Sequence, residues 1–309
     1  MFKSIIDDIK NEFSNGNMVT RIIIVNIAVF VLVNIVKLFL NISHAGRIEE
    51  SFYQDFIHFF CASTNIWHEI THPWVWVSSI FLHEDFFHLL WNMLYLMWFG
   101  RIVGDFIGNQ RVLPIYLLGG FVGVLSYMIS VYIMPFGYIA PYAYGASAAV
   151  MAFVVAAAKL SPNYLINIIL IGDVKLKYIA LVFIFLDLIG IANNANTGGH
   201  FGHIGGALFG WVYIVQLREG NDWAIPINNF FHKFLNLFKK NNDKYIKNNP
   251  KMTVRHNPNV AKKPIKEQKS EVSASHQERL DEILDKIKET GYENLSQEDK
   301  DFLFHISKK

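Results

Sequence analysis

Six apolar runs dominate the first two-thirds of the chain, at about 20–41, 77–99, 112–134, 142–159, 178–193 and 199–217. Crossing a bilayer as a helix takes roughly 20 mostly apolar residues, so the pattern predicts six spanning helices. The first run, from Thr20 through Ile22, Ile23, Ile24 and Val25 to Leu40, is almost unbroken, the fourth is short and Ala-rich, and the sixth is Gly-rich. Residues 42–76 form a long loop with apolar stretches of its own (Phe52, Phe56, Ile57, Phe59, Phe60). Its Trp67, Trp74 and Trp76 suit a membrane interface. Residues 161–176 read as an apolar loop lying on the opposite membrane surface. The fold class is therefore an all-α polytopic membrane protein, a six-helix transmembrane bundle with helical appendages.

Those appendages are polar. Residues 1–17 carry Phe2, Ile5, Ile6, Ile9 and Phe13 at helical spacing among acids and lysines. This start has charge where a cleavable signal has its apolar core, so the first run is expected to act as both insertion signal and anchor. The membrane domain is set at 18–218. Residues 219–247 set Phe230, Phe231, Phe234, Leu235 and Phe238 against Lys233, Lys239, Lys240 and Lys244. That is a basic amphipathic helix suited to anionic lipid, or alternatively to packing on a partner. Residues 248–275 read as a disordered linker. Residues 276–309 read as a helical hairpin, with Leu280, Ile283, Leu284 and Ile287 in one stripe and Gly291 as a stop. Ser296 starts its second helix, with Asp299 at the capping position.

Charge orients the bundle. Of 28 Lys and Arg, 18 lie at or beyond Arg218. Lys3, Lys10 and Arg21, then Arg101 and Arg111, then Lys159, Lys175 and Lys177, then the tail all fall on one side of a six-span chain. By the positive-inside rule both termini are cytoplasmic. Lys37 and Arg47 depart from the pattern. The net charge of +2 gives no footprint for nucleic acid, so lipid and membrane proteins are the expected partners. Cys61 is the sole cysteine, which excludes an internal disulfide. Abundant Lys, Asn, Ile and Phe fit a low-GC bacterium and hence an inner (plasma) membrane. The pattern sets no oligomeric state.

Candidate chemistry lies in the spans. In this topology His88, Asn92, Ser147 and His203 all fall in the outer leaflet, with Ser147 about a turn and a half into the fourth span. Alone, Ser147 fits helix packing and His203 a structural hydrogen bond. Glycines at 198, 202, 206 and 210 form a groove on the sixth span, and Ala148, Ala152 and Ala156 match it on the fourth. Close approach of these spans is expected to bring Ser147 within hydrogen-bond reach of His203, a nucleophile beside its general base.

His88-Leu89-Leu90-Trp91-Asn92, Gly145-Ala146-Ser147-Ala148 and His203-Ile204-Gly205-Gly206 with Gly210, in this order and on these spans, resemble the rhomboid family of intramembrane serine proteases over about 18–218. The resemblance implies Ser147 as nucleophile and His203 as base, a dyad without an acidic third member. It implies His88, Asn92 and Gly145 around the oxyanion or substrate, Gly202, Gly206 and Gly210 in helix packing, and neither metal nor cofactor. Its substrates would be transmembrane proteins. Ala148 stands where glycine is common in the family, and Val75 follows Trp74 where the family often has Trp-Arg, so the loop is expected to be anchored differently. Asp105 reads as a structural hydrogen bonder, and Asp187 as either structural or a partner of a substrate gate. Two rival readings stay open. One is an inactive rhomboid-like protein that binds membrane clients. The other is a zinc protease through His68-Glu69-Ile70-Thr71-His72, the H-E-x-x-H spacing. Pro73 disfavours the continuous helix that such a site needs.

Overall fold

The computed structural model describes residues 2–43, 50–134, 139–168, 171–238, 271–290 and 294–307. Helices form at all six apolar runs. α1 (Phe2–Asn15) precedes α2 (Met18–Ser43), which covers the first run. The long loop contains α3 (Glu50–His58), the two-residue strand β1 (Ala62–Ser63), and the short helices α4 (Ile66–Thr71) and α5 (Val75–Ser78). A 3₁₀ turn over Ser79–Phe81 leads to α6 (Phe86–Ile107). A second 3₁₀ turn, Asn109–Arg111, opens α7 (Val112–Ile133). Strand β2 (Tyr142–Ala143) comes before α8 (Ser147–Leu160).

Two boundaries correct the sequence reading. The second span starts at Phe86 rather than near 77. Leu82 is extended (φ −83°, ψ 133°), and Asp85 caps the helix, its carboxylate accepting from the His88 N–H at 2.7 Å. Apolarity over 74–82, interrupted only by Ser78 and Ser79, hides that break, although Asp85 is a favoured N-cap residue type. The fourth span starts at Ser147 itself, because Tyr142–Ala143 pairs antiparallel with Ala62–Ser63 and Gly145 adopts φ +123°, which ends any helical continuation from upstream.

The segment after α8 is a β-hairpin rather than an apolar loop: β3 (Leu165–Ile168) pairs with β4 (Gly172–Lys175). Its alternating exposure follows the period-2 placement of Leu165 and Asn167 against Ile166 and Ile168. Helices α9 (Leu176–Ala192), α10 (Thr197–Arg218) and α11 (Ala224–Phe238) follow. Asn194 and Asn196, both at positive φ, turn the chain between α9 and α10.

α8 is the hub. Every residue from Ala149 to Ala158 is buried, as expected for a helix apolar all round. α6, α7, α9 and α10 surround it. A Cβ on Gly206 would collide with the Ala148 carbonyl oxygen and one on Gly210 with that of Ala152, so the expected α8–α10 approach is made at these two glycines. Gly198 and Gly202 instead face Tyr127 and Gly123 of α7. Four residues advance a helix by about 40° more than one turn, so the ladder winds from one neighbour to the next.

Polar clamps fix the periphery. Buried Asn26 on α2 donates to Tyr116 Oη on α7 at 3.0 Å, and that hydroxyl donates to the Ile80 carbonyl at 2.8 Å. Arg111 meets Asp222, at the α10–α11 turn, at 2.8 Å. The loop that lacks the Trp-Arg pair is tied by Trp74 Nε1 to the Phe59 carbonyl (2.7 Å) and by Ser78 Oγ to the Phe60 carbonyl (2.8 Å). Cys61 packs among Val33, Tyr53, Ile57 and Leu82.

Outside these contacts the helices expose aliphatic and aromatic side chains: Leu32, Ile35, Leu38 and Phe39 on α2, and Leu181, Val182, Phe185 and Leu186 on α9. Soluble surfaces rarely carry continuous bands of this kind. Met18–Leu40 and Asn109–Ile133 are each long and apolar enough to cross a membrane, and only 17% of the apolar window in the former is buried.

Residues 241–309 form a separate compact unit. Its described parts are α12 (Glu271–Thr290), which carries the expected Leu280, Ile283, Leu284 and Ile287, and α13 (Gln297–Ser307). Ser296 Oγ accepts from the Asp299 N–H at 3.3 Å, the expected cap. Most of the linker read at 248–275, and Gly291, lie outside the described residues.

Candidate active site

The N-terminal ends of α6, α8 and α10 meet at one cavity of about 600 Å³. Its lining includes His88, Tyr144, Ser147, Thr197, Gly199 and His203. Unpaired N–H groups at helix starts carry partial positive charge; α8 and α10 begin without a side-chain cap, so these two ends favour an anion here, whereas α6 is capped by Asp85. A smaller space of about 50 Å³ continues from it between Ser147, Ala148, Gly123, Gly202 and His203. That is room for a water molecule.

Ser147 is the first residue of α8 and is half-buried. The run before it is held from several sides. The Gly145 N–H donates to the Ser79 carbonyl at 2.8 Å, and the Ala146 N–H donates to His83 Nε2 at 3.3 Å. His83 is fully buried, and its Nδ1 bonds the Phe81 carbonyl at 3.3 Å, so one neutral ring serves as donor and acceptor at once. Pairing of Thr64 N–H with the Pro141 carbonyl (3.1 Å) extends the β1–β2 strap. Sequence reasoning missed His83 as a support, since nothing in its spacing from Ser147 signals contact.

His88 and Asn92 separate. His88 lines the cavity, and its ring lies against Gly145, where a Cβ would stand 2.7 Å from Cε1. Asn92 is buried a turn further along α6, and its amide donates to the His88 carbonyl at 2.8 Å. Asn92 is not among the residues lining the cavity.

His203 and Ser147 share the cavity, but among the described residues no hydrogen bond joins them, contrary to the expected reach. The ring is fixed from its other side. His203 Nδ1 lies 2.7 Å from Asp187 Oδ1 on α9. His200 Nδ1 lies 2.7 Å from the same oxygen. An Nδ1–H given to a carboxylate leaves the lone pair on Nε2, the nitrogen a general base uses. Asp187 is therefore the partner of both α10 histidines. Sixteen residues and a turn separate it from His203, which is why no sequence spacing announces the contact.

Asp187, His200 and His203 also place ligand atoms within 4.8 Å of one another, the only such cluster among the described residues. Nitrogen–oxygen separations of 2.7 Å are those of hydrogen bonds, shorter than the spacing two ligands keep around a shared ion. The H-E-x-x-H segment is not arranged as a metal site. α4 stops at Thr71, as Pro73 predicts, and His72 leaves the helix at φ −124°, ψ 60°. Glu69 turns inward, accepts the Ser63 N–H at 2.5 Å and is 2% exposed. Burial pushes its carboxyl above the ordinary range, opposed by that N–H and by His72. His68 Nε2 bonds the Cys61 carbonyl at 3.3 Å, and His72 Nδ1 bonds the His68 carbonyl at 3.2 Å.

Residues 71–220 match the family model of the Rhomboid domain. That range takes in α5 through α10 and every residue of the cavity, and leaves α1, α2 and α3 outside. Presenilin-associated rhomboid-like protein A, mitochondrial, of Danio rerio is 29% identical over 166 residues, 52% of this chain and 42% of that protein. The chain thus spans less than half the length of this curated relative. The helical architecture is that of a polytopic membrane protein. Residues 71–220, within which three motif-bearing helices converge on one cavity, are thus a Rhomboid domain by this match.

Proposed function

We propose that the chain is an intramembrane serine endopeptidase that hydrolyses peptide bonds in or near transmembrane segments of other membrane proteins. The observation that carries this reading is the shared cavity of Ser147 and His203, with His203 Nδ1 tied back so that Nε2 is the basic nitrogen. Nε2 takes the Ser147 proton as Oγ attacks the scissile carbonyl, and a tetrahedral oxyanion forms. In this reading the donors to it are the Ser147 backbone N–H, at the start of α8, and the His88 ring, which lines the same cavity. His203 then protonates the leaving amine as the C–N bond breaks. Water, for which the smaller space has room, repeats the sequence on the acyl-enzyme. A substrate helix must unwind locally to offer its carbonyl, so helix-weakening residues belong near the cut. No organic cofactor or metal enters these steps.

We also place both termini on the inner side of the membrane, from the Lys and Arg distribution. Ile225, Phe230, Phe234 and Leu235 are exposed on α11, and we read that face as resting on lipid beside its basic residues. The second reading, a client-binding protein without turnover, is disfavoured by the presence of both reacting groups in one cavity.

The test is cleavage of a transmembrane reporter by purified wild type, Ser147→Ala, His203→Ala and His68→Ala in liposomes, with and without chelator. Wild type and His68→Ala should cleave equally, with or without chelator. Ser147→Ala and His203→Ala should lose activity by at least about 10³-fold. Cleavage that survives Ser147→Ala removes the serine mechanism, and chelator sensitivity that tracks His68 moves the chemistry to the loop.

A further inference from the structure

Asp187 is 5% exposed, on a helix whose outward face around it, from Leu181 to Ile189, is apolar. A carboxylate in such a place is costly unless it is paired. Both of its described partners are imidazole Nδ1 atoms at 2.7 Å, and both bond the same oxygen, Oδ1. Asp187 Oδ2 is buried without a hydrogen-bond partner among the described residues. The surroundings are shaped for this arrangement. Gly190, one helical turn beyond Asp187, lies under the His200 ring, and any Cβ there would collide with His200 Nε2. α9 therefore offers α10 one acid and one gap, and two rings of α10, three residues apart, take them.

We propose that Asp187 is a positioning residue for the reaction assigned above, a third member behind Ser147 and His203, with His200 as the second donor that fixes the carboxylate. This inference rests on the serine protease reading. Throughout the cycle Asp187 keeps the Nδ1–H of His203. When Nε2 accepts the Ser147 proton, the ring becomes an imidazolium 2.7 Å from a carboxylate of low solvent access, and that charge pair lowers the barrier. When Nε2 returns the proton to the leaving amine, the ring is neutral again and still in the productive tautomer. His200 holds Oδ1 from the adjacent turn, so the carboxylate cannot swing away as the charge on His203 appears and disappears.

A purely structural Asp187 and a positioning Asp187 predict different kinetics. Asp187→Asn, Asp187→Ala and Asp187→Glu are compared with wild type, His203→Ala and Ser147→Ala in liposomes. The measurements are kcat and KM on a transmembrane reporter, labelling of Ser147 by a fluorophosphonate, and the thermal unfolding midpoint. Asp187→Asn and Asp187→Ala should lower kcat by about 10²- to 10⁴-fold, slow labelling in parallel, and leave KM within about threefold. Their midpoints should not account for the loss. Asp187→Glu should recover at least about tenfold of the Asp187→Ala deficit. The inference is overturned if Asp187→Asn keeps kcat within about threefold of wild type while Ser147→Ala and His203→Ala are dead. It is equally overturned if the three Asp187 variants lose activity only in proportion to lost folded protein, with Glu no better than Ala. Cleavage by Ser147→Ala or His203→Ala would instead remove the serine reading itself, and this inference with it.

Discussion

At the scale of single residues, Gly145 shows how little room the site leaves. Its φ of +123° lies where side chains are disfavoured, and the His88 ring occupies the space a Cβ would need, 2.7 Å from Cε1. Gly145→Ala should therefore cost about 1–3 kcal/mol of stability. It should also push His88 off the cavity wall and lower kcat/KM by at least about tenfold, as measured by unfolding and by reporter cleavage. Unchanged kinetics would mean that His88 has no part in the reaction. Ser147, His203 and Gly145 could be picked out from short motifs, because their chemistry or backbone need is local. His83 and Asp187 could not. Their partners sit 63 and 16 residues away, across turns that no periodicity encodes.

At the scale of elements, the sixth span uses its glycines unequally. Gly206 lies against the Ala148 carbonyl, so Gly206→Ala overpacks the α8–α10 contact and should cost about 1–3 kcal/mol. At Gly202 a Cβ would approach nothing nearer than the Gly123 carbonyl oxygen at 3.4 Å. Gly202→Ala should therefore be neutral, or gain up to about 1 kcal/mol from helix propensity. Denaturant titration of both variants in one detergent checks the contrast, and equal destabilisation would contradict it. The small-residue pattern announced close packing of the fourth and sixth spans. It hid the drift toward α7, since a spacing of four in one dimension is a slow spiral on the helix surface. The start of α6 was misplaced for a related reason: apolarity reports burial or lipid, not helical continuity, and Leu82 is extended while still apolar.

At the scale of the whole molecule, six helices were legible because lipid imposes length and apolarity on any segment that crosses it. The short helices and strands of the 50–81 loop were not, since they depend on contacts with α2 and β2. The far end of the bundle is closed by Arg111 and Asp222. Burial of Asp222 works against its charge, but Arg111, the Ala224 N–H and Tyr213 together hold its carboxyl below the ordinary value. A carboxyl lowered in the folded state adds stability above its unfolded value, near pH 4, and that stability is lost as pH falls through the lowered one. The difference in unfolding midpoint between wild type and Asp222→Asn should thus stay constant from about pH 8 to pH 5 and shrink only in stronger acid. A difference that grows between pH 6 and 8 would contradict the clamp.

The contact of Gly206 and Gly210 with main-chain carbonyls has a wider consequence. Carbonyl oxygens are common to all twenty amino acids, so the alignment of the Ser147 helix with the His203 helix is inherited from the polymer itself. Outward-facing positions such as Phe185 or Leu32 are then free to drift among greasy side chains, while tolerance collapses at a handful of hydrogen-sized sites.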